Sequence, residues 1–293
     1  MKRKIWKVNN IVFVLLFAVL LVYVLLILLP LVWGLYTSLK TREGFVRDVL
    51  WPAWPPTFNN YVSAFSNFQI KVAGLQGTKV FYIYDMFLNS LLYALGGAVC
   101  SAIVTCVTAY LVAKFPYRFS KIVYGIVIVA LILPIVGALP SQLQLTRAIG
   151  VYDNMIGMWI MNASFLNIYF LIFYATFKTV AKDYAEAASI DGASNFTILT
   201  RLMIPLVKNT LFMIILLQFI GLWNDYQTPM MFLPSAPTVA YGMYQFSFSA
   251  LNSFNVETIK ITGGIMMLMP VLILFLVFHK KLIGNLTMGG IKG

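Results

Sequence analysis

Residues 11–33 form an unbroken apolar run, IVFVLLFAVLLVYVLLILLPLVW, preceded by Lys2, Arg3, Lys4 and Lys7. At 1.5 Å per residue, a helix over this run covers about 34 Å, enough to cross a hydrocarbon core of roughly 30 Å. A secretory signal has a shorter apolar core and a small-residue cleavage site; neither is present, so this end is expected to be retained. The rest of the chain agrees. Of 293 residues, 61% are hydrophobic and only 10% charged, with mean hydropathy +0.87, whereas a soluble domain carries about 25% charged residues. Disorder, a disulfide scaffold and a soluble nucleic-acid binder are excluded on these grounds, and the net charge of +12 is read against a bilayer.

Further charge-free stretches run over residues 86–113, 122–146, 154–177, 209–224 and 261–278. With the first run they predict six transmembrane helices. Lysine and arginine beside short loops set the orientation. If the N-terminus is inside, the interior segments hold Lys2, Arg3, Lys4, Lys7, Lys114, Arg118, Lys121, Lys178, Lys182, Arg201, Lys208, Lys280, Lys281 and Lys292, the majority of the 21 basic residues. Both termini are therefore expected in the cytoplasm. Cys100 and Cys106 lie six apart in one apolar stretch, rotated roughly 240° and separated by about 9 Å on a helix, so they cannot pair. A single histidine, His279, excludes His-rich metal sites.

Two exterior segments exceed the length of a turn. Residues 41–85 contain Trp51, Pro52, Ala53, Trp54, Pro55 and Pro56, and residues 225–260 are rich in Pro, Ser, Tyr and Phe. They suit interfacial aromatic anchoring, a docking surface for an extracytoplasmic partner, or both. No predicted span carries Asp, Glu, Lys or Arg near its centre, which disfavours a proton-driven carrier. No GxxxxGK[ST] phosphate loop occurs, so any ATP is bound by another subunit.

The most informative segment is residues 178–208, which from Asp183 reads DYAEAASIDGASNFTILTRLMIPL. Asp183 with Glu186 predicts a capped short helix, Gly192 a left-handed stop, Ser194 the start of a second helix, and Pro205 the first turn of the fifth span. Phe196, Leu199, Leu202 and Met203 recur at three- and four-residue spacing, placing the second helix along the membrane surface. Small Ala187, Ala188 and Ala193 keep the first helix slim enough to enter a groove.

This EAA, three residues, GA and closing Pro resemble the signature of ATP-binding-cassette importer permeases, and the DGA form with its later Ile-Pro pair resembles the carbohydrate-uptake, maltose-type subfamily. Other elements fall in order: Ser38-Leu39-Lys40; Pro56, Thr57, Asn59, Asn60 and Tyr61; Asn89-Ser90; Ala109, Tyr110 and Lys114; Trp223, Asn224, Asp225 and Pro229; and the tail Leu286, Thr287, Gly289, Lys292 and Gly293. Leu199 stands where such permeases often have Phe, and Asn285 where a Gly commonly precedes the tail. The resemblance implies an all-α, six-helix type I importer permease. Its segments are a cytoplasmic N-terminus (1–10), a transmembrane domain (11–278) with coupling loop 178–208 and external loops 41–85 and 225–260, and a cytoplasmic tail (279–293). It also implies a cell-membrane location. The partners are an ATPase dimer that binds ATP and Mg, a second permease subunit of a different or identical chain, an extracytoplasmic solute-binding protein and membrane lipid; nucleic acid is not among them. Glu186 would pair with a basic ATPase side chain, Asp191 would hold the turn and Gly192 would supply backbone freedom, with Ala187, Ala188, Ala193 and Pro205 completing the coupling element. The tail 286–293 either touches the ATPase or frays.

A sugar path needs amides and aromatic faces. On the fourth predicted span Asn162, Phe165, Tyr169 and Phe173 fall within one stripe, and on the fifth Gln218 and Asp225 share a face at i and i+7, with Trp223, Asn224 and Asp225 at the outer mouth. Such amides also serve as glue between helices. An uncharged path suits a neutral polar solute. The competing readings are an autonomous carrier or facilitator, which would move solute without partners, and a non-transporting scaffold.

Overall fold

The computed structural model describes residues 2–74, 77–133, 137–248 and 257–286. In chain order it contains α1 (Lys2–Ser38), α2 (Arg42–Arg47), α3 (Asn59–Asn67), β1 (Gln69–Gly74), β2 (Gly77–Tyr82), α4 (Ile83–Lys114), α5 (Arg118–Ile132), α6 (Leu139–Ala148), α7 (Met155–Asn162), α8 (Ile168–Thr179), α9 (Asp183–Ile190), α10 (Asn195–Thr197), a π-helical stretch (Ile198–Met203), α11 (Ile204–Leu206), α12 (Lys208–Asn224), α13 (Gln227–Phe232), α14 (Val239–Phe248) and α15 (Glu257–Leu286). The tail motif from Thr287 onward and residues 249–256 of the second external loop lie outside the described residues.

Among the described residues the regular structure is helical except for one antiparallel hairpin, β1–β2, inside the first external loop, paired from Gln69↔Tyr82 to Gly74↔Gly77. This corrects the all-α expectation locally. Ile70 and Val72 alternate with Lys71 and are buried, the period-two pattern of a half-buried strand.

Among the described residues, three helical segments are long and apolar enough to cross a membrane: Val12–Ser38, Ile83–Lys114 and Glu257–Phe278. A fourth crossing is available if Asn195–Leu206 and Lys208–Asn224, bent by 76° to each other, count as one. The stretches 122–146 and 154–177 are not single helices. The first ends at Leu133, whose backbone is extended (φ −78, ψ 119) immediately before Pro134, because a proline pushes its predecessor out of the helical region. The second breaks between α7 and α8. There Asn167 accepts from the Phe170 N–H (3.3 Å) and donates to the Ser164 carbonyl (2.7 Å), while Ser164 Oγ accepts from the Leu166 N–H (3.2 Å). Side chains that bond locally to backbone offer an alternative to the helix ladder.

The described residues form two compact units, Met1–Phe68 with Phe246–Met269, and Gln69–Gln245 with Pro270–Gly293. In the first, the family-like elements around residues 38–40 and 56–61 prove to be one clasp. Asn60 donates to the carbonyls of Ser38 (2.8 Å) and Lys40 (2.7 Å), the Thr57 N–H bonds the Leu39 carbonyl (2.8 Å), and the Tyr61 and Ser38 hydroxyls are 2.7 Å apart. Lys40 is fully buried, with Nζ on the carbonyls of Asp48 (2.8 Å) and Val49 (3.1 Å). Burial holds its pKa below the usual lysine range, and the charge of Asp48 acts the other way.

The second unit has one principal core, built by Ala102, Cys106, Ala109, Tyr110 and Ala113 of α4, Val127 of α5, Phe170, Phe173 and Phe177 of α8, Ile198, Leu199 and Met203 of the π-helical stretch, and Met213 and Ile214 of α12. Small residues along α4 let its neighbours approach closely. A Cβ on Gly97 would stand 2.8 Å from Leu222 Cδ1 and 3.3 Å from Asn162 Nδ2.

Candidate functional site

The loop 178–208 folds as a helix, a sharp turn and a second helix. α9 ends in a Schellman arrangement: the Ala193 N–H reaches the Ala188 carbonyl (2.9 Å), and the Gly192 N–H reaches the Ser189 carbonyl (3.1 Å). Gly192 sits at φ +84, and nothing lies within 4 Å of where its Cβ would be. Glycine is thus required by the backbone and not by crowding. Ser194 caps the second helix, accepting from the Thr197 N–H at 3.2 Å.

Three expectations for this loop change. Asp183 is not the cap: Lys182 precedes the helix without a side-chain bond, and Asp183 and Glu186 both occupy the first turn, where their charge complements the helix dipole. The Asp191 carboxylate takes no hydrogen bond among the described residues; the residue serves through its backbone N–H to Ala187 (3.0 Å). Pro205 belongs to the short α11 and not to the first turn of α12, and the chain bends by 76° between Leu206 and Lys208.

Burial divides the loop into an inner and an outer side. Ala185, Ala188, Ala193 and Leu202 pack against the principal core, which Leu199 and Met203 enter. On the outer side Ile190 is 86% and Phe196 74% exposed, with Tyr184, Glu186 and Ala187 also exposed. The stripe Phe196, Leu199, Leu202 and Met203 is therefore split between core and surface. Ile190 was missed by sequence reasoning; its signal is a large apolar side chain directly before a solvated Asp-Gly turn.

Beside α9, Tyr110, Lys114, Phe115, Lys182, Glu186 and Ile198 contribute to a half-open cavity of about 350 Å³. Lys114, noted in the sequence only as a motif member, donates to the Val180 carbonyl at 2.6 Å and so ties α4 to the entrance of the loop. Glu186 makes no ion pair among the described residues.

Deeper in the unit, the amides and the aromatic stripe are reassigned. Asn162 ends α7, Phe165 lies in the break, and Tyr169 and Phe173 belong to α8, so no single helix presents the four. Asn162 bonds its own helix at Met158 (3.0 Å), Phe173 is fully buried, and Phe165 and Tyr169 are half-buried against the principal core. Gln218 and Asp225 share a face as expected, and that face meets α4: Gln218 donates to Ser101 (2.8 Å) and Tyr93 donates to Asp225 (3.1 Å). Asp225 also accepts from the Thr228 N–H (3.0 Å), starting α13, while Asn224 bonds the Ile220 carbonyl (2.9 Å). Trp223 is buried between Phe219 and Phe87, ring centroids 5.6 and 5.9 Å away. Asn89 and Ser90 hold the start of α14, through the Pro237 carbonyl (3.1 Å) and the Val239 N–H (2.7 Å). A cavity of about 550 Å³ between Phe87, Leu91, Phe219, Trp223 and Ile273 has almost wholly apolar walls and offers a sugar no hydroxyl partners.

Long apolar helices and a bent helix pair rooted in a shared core place the chain in the class of helical membrane proteins. The family described as binding-protein-dependent transport system inner membrane component matches residues 105–282. Near-full-length relatives include the sulfoquinovosyl glycerol transport system permease protein SmoH of Agrobacterium fabrum, 25% identical over 91% of this chain and 89% of that protein. The arabinooligosaccharides transport system permease protein AraQ of Bacillus subtilis is 26% identical over 92% of each chain. The trehalose transport system permease protein SugB of Mycobacterium tuberculosis is 24% identical over 91% of this chain and 93% of its own. In fold, the chain is similar to one from a bacterial ABC transporter involved in the import of the acidic polysaccharide alginate, with TM-score 0.77, 24% identity and coverage of 93% of this chain and 97% of that one.

The chain belongs to the family of binding-protein-dependent transport system inner membrane components. It is a multi-pass membrane protein and the membrane component of a binding-protein-dependent transport system, a transport subunit and not an enzyme.

Proposed function

We propose that this chain is one half of the translocation pore of a carbohydrate importer, fed by an extracytoplasmic binding protein and paired with a second permease. The segments are those of a cytoplasmic start (1–10), a six-span domain (11–278) and a cytoplasmic tail (279–293). The six spans are the stretches 11–33, 86–113, 122–146, 154–177, 209–224 and 261–278, carried by α1, by α4, by α5 with α6, by α7 with α8, by α12 and by α15. The interrupted fourth crossing is compatible with a bilayer because residues 163–167 are bonded to α4, Thr105 donating to the Ser164 carbonyl (3.2 Å) and accepting from Asn167 (3.2 Å).

The observation that carries the coupling reading is the two-sided loop. Its inner residues join a core shared by α4, α5, α8 and α12, and its outer face presents Tyr184, Glu186, Ile190 and Phe196. On this reading, an ATPase dimer that binds ATP and Mg closes against α9 and rocks the bundle as a body. Glu186 meets a basic side chain there. Carbohydrate is supported by the saccharide transport named for AraQ and SugB. A neutral one is supported by path residues that are amide or aromatic: Asn162, Phe165 and Tyr169, with Asn224 at the outer mouth. Gln218, Trp223 and Asp225 act on the path by holding its walls.

The test is co-purification of the tagged chain, identification of the ATPase and binding protein that travel with it, and uptake in vesicles. Solute entry that requires ATP and the binding protein supports the proposal. Equilibration of that solute by the purified chain alone sinks it in favour of a facilitator.

A further inference from the structure

The loop that leaves α1 does not project away from the end of the helix; it folds back along it. The Trp33 indole donates to the Val49 carbonyl at 2.9 Å, the Tyr36 hydroxyl bonds the Leu50 carbonyl, and buried Lys40 holds the carbonyls of Asp48 and Val49. Trp33 closes the apolar run of α1, and it lies five residues, roughly 7 Å, back from the helix end at Ser38. The backbone at Val49–Leu50 is thereby fixed beside the end of that apolar run.

What this fold-back presents outward is apolar. Val46 is 75%, Leu50 68%, Trp51 72% and Trp54 89% exposed. They are held in place by a built turn: Asp48 Oδ1 accepts from the N–H groups of Leu50 (2.9 Å) and Trp51 (3.0 Å). α2 closes over the same turn, where a Cβ on Gly44 would stand 3.1 Å from Ala53 Cβ. The patch continues the surface of α1, whose large side chains from Val12 to Val32 are exposed all round and suited to lipid tails. Exposed Arg42 and Arg47 flank it, at a level that suits phosphate groups.

We propose that residues 46–54 form an interfacial anchor that inserts Leu50, Trp51 and Trp54 into the phospholipid leaflet where α1 emerges, and that this segment is not the docking face for the binding protein. Tryptophan favours this level of a bilayer because its ring is apolar and its N–H is polar. The anchor fixes the depth and rotation of α1 through Trp33 and Lys40, leaving other parts of the external loops to meet the binding protein.

The test uses the full chain in phosphatidylcholine vesicles, with Cys100→Ala and Cys106→Ala, and an environment-sensitive fluorophore on Trp54→Cys or, as the aqueous reference on the same side of the membrane, on Lys79→Cys, an exposed position of the same external loop. Quenching at residue 54 by shallow spin-labelled lipid, with iodide quenching at least about threefold weaker than at residue 79, is the expected result. Equal iodide access at both positions without lipid quenching overturns the proposal. Iodide protection that arises only when the binding protein is added also overturns it, in favour of a protein-docking face. If the cysteine-free chain fails to insert, Trp51→Phe with Trp54→Phe in the otherwise unaltered chain provides the same discrimination in brominated lipid. The pair should remove a disproportionate share of the lipid-quenchable emission, and an unchanged quenchable share refutes the anchor.

Discussion

Gly192→Ala isolates the backbone contribution of the coupling loop. The residue holds φ +84, and its missing Cβ would have no neighbour within 4 Å, so the substitution adds no clash within the chain. An L-residue in the left-handed region costs about 1–2 kcal/mol relative to glycine. That corresponds to a factor of about 5–30 in the equilibrium constant between the native turn and its alternatives. Because α9 and the second helix are oriented by this turn, the apparent affinity for the ATPase should fall, by up to the same factor, with membrane insertion unchanged. Titrating ATPase into vesicles that hold the permease, and reading ATP-dependent uptake, measures the shift. Gly192→Asn should lose less than Gly192→Ala, because asparagine tolerates the left-handed region better. Parental affinity for Gly192→Ala refutes the reasoning. A larger loss for Asn than for Ala would show that room against a partner, and not backbone conformation, governs this position.

Glu186→Lys should leave the protein in the membrane and abolish uptake, since it adds a third cation to a cavity already lined by Lys114 and Lys182; parental transport with normal ATPase association would contradict it. Lys114→Met removes the bond to the Val180 carbonyl and should weaken the hold on the loop by about 1–2 kcal/mol, seen as faster trypsin cleavage after Lys182. Asn60→Ala leaves the Ser38 and Lys40 carbonyls without its amide and should cost about 2–4 kcal/mol, read as a lower melting temperature. Lys40→Met tests the lysine's titration. The unfolded chain keeps that proton up to pH about 10.4 and the folded chain releases it earlier, so parental stability rises with pH between the folded value and 10.4. The melting temperature of the parent relative to Lys40→Met should climb through that window, and a constant difference would contradict the lowered pKa.

The long apolar helices α1, α4, α12 and α15 were legible because charge-free runs of that length have few alternatives. The breaks at Leu133 and at 163–167 were not, since both lie inside uniformly apolar stretches where mean hydropathy hides a single Pro or an Asn-capped turn. The geometry of the turn at 191–194 was legible in detail: Gly192 and Ser194 are local signals whose backbone partners lie within five residues. Asp183 misled because a helix beginning at Asp183 makes it the first turn instead of the cap, a one-residue difference that sequence rarely resolves. For the path residues, spacing put Gln218 and Asp225 on one face. It could not say that Ser101 and Tyr93 of α4 wait there, because those contacts join residues more than a hundred positions apart.

Those contacts bear on how force could travel. α4 and α12 are fastened by two neutral or singly charged hydrogen bonds, Gln218 to Ser101 and Tyr93 to Asp225, and α4 to the 163–167 segment by Thr105. All are part-buried, so breaking any of them leaves a polar group short of a partner. Sliding one helix past another is thus opposed, and rotation of α4, α8 and α12 together is not. The coupling loop enters that same body through Ile198, Leu199 and Met203 on one side and Lys114 on the other. On the proposed reading, a push on α9 reaches the bundle through these contacts, and the path to α12 also passes the 76° bend between Leu206 and Lys208. Even there Val207 is buried in the shared core, so the bend is packed from within, and opening it would expose an apolar side chain.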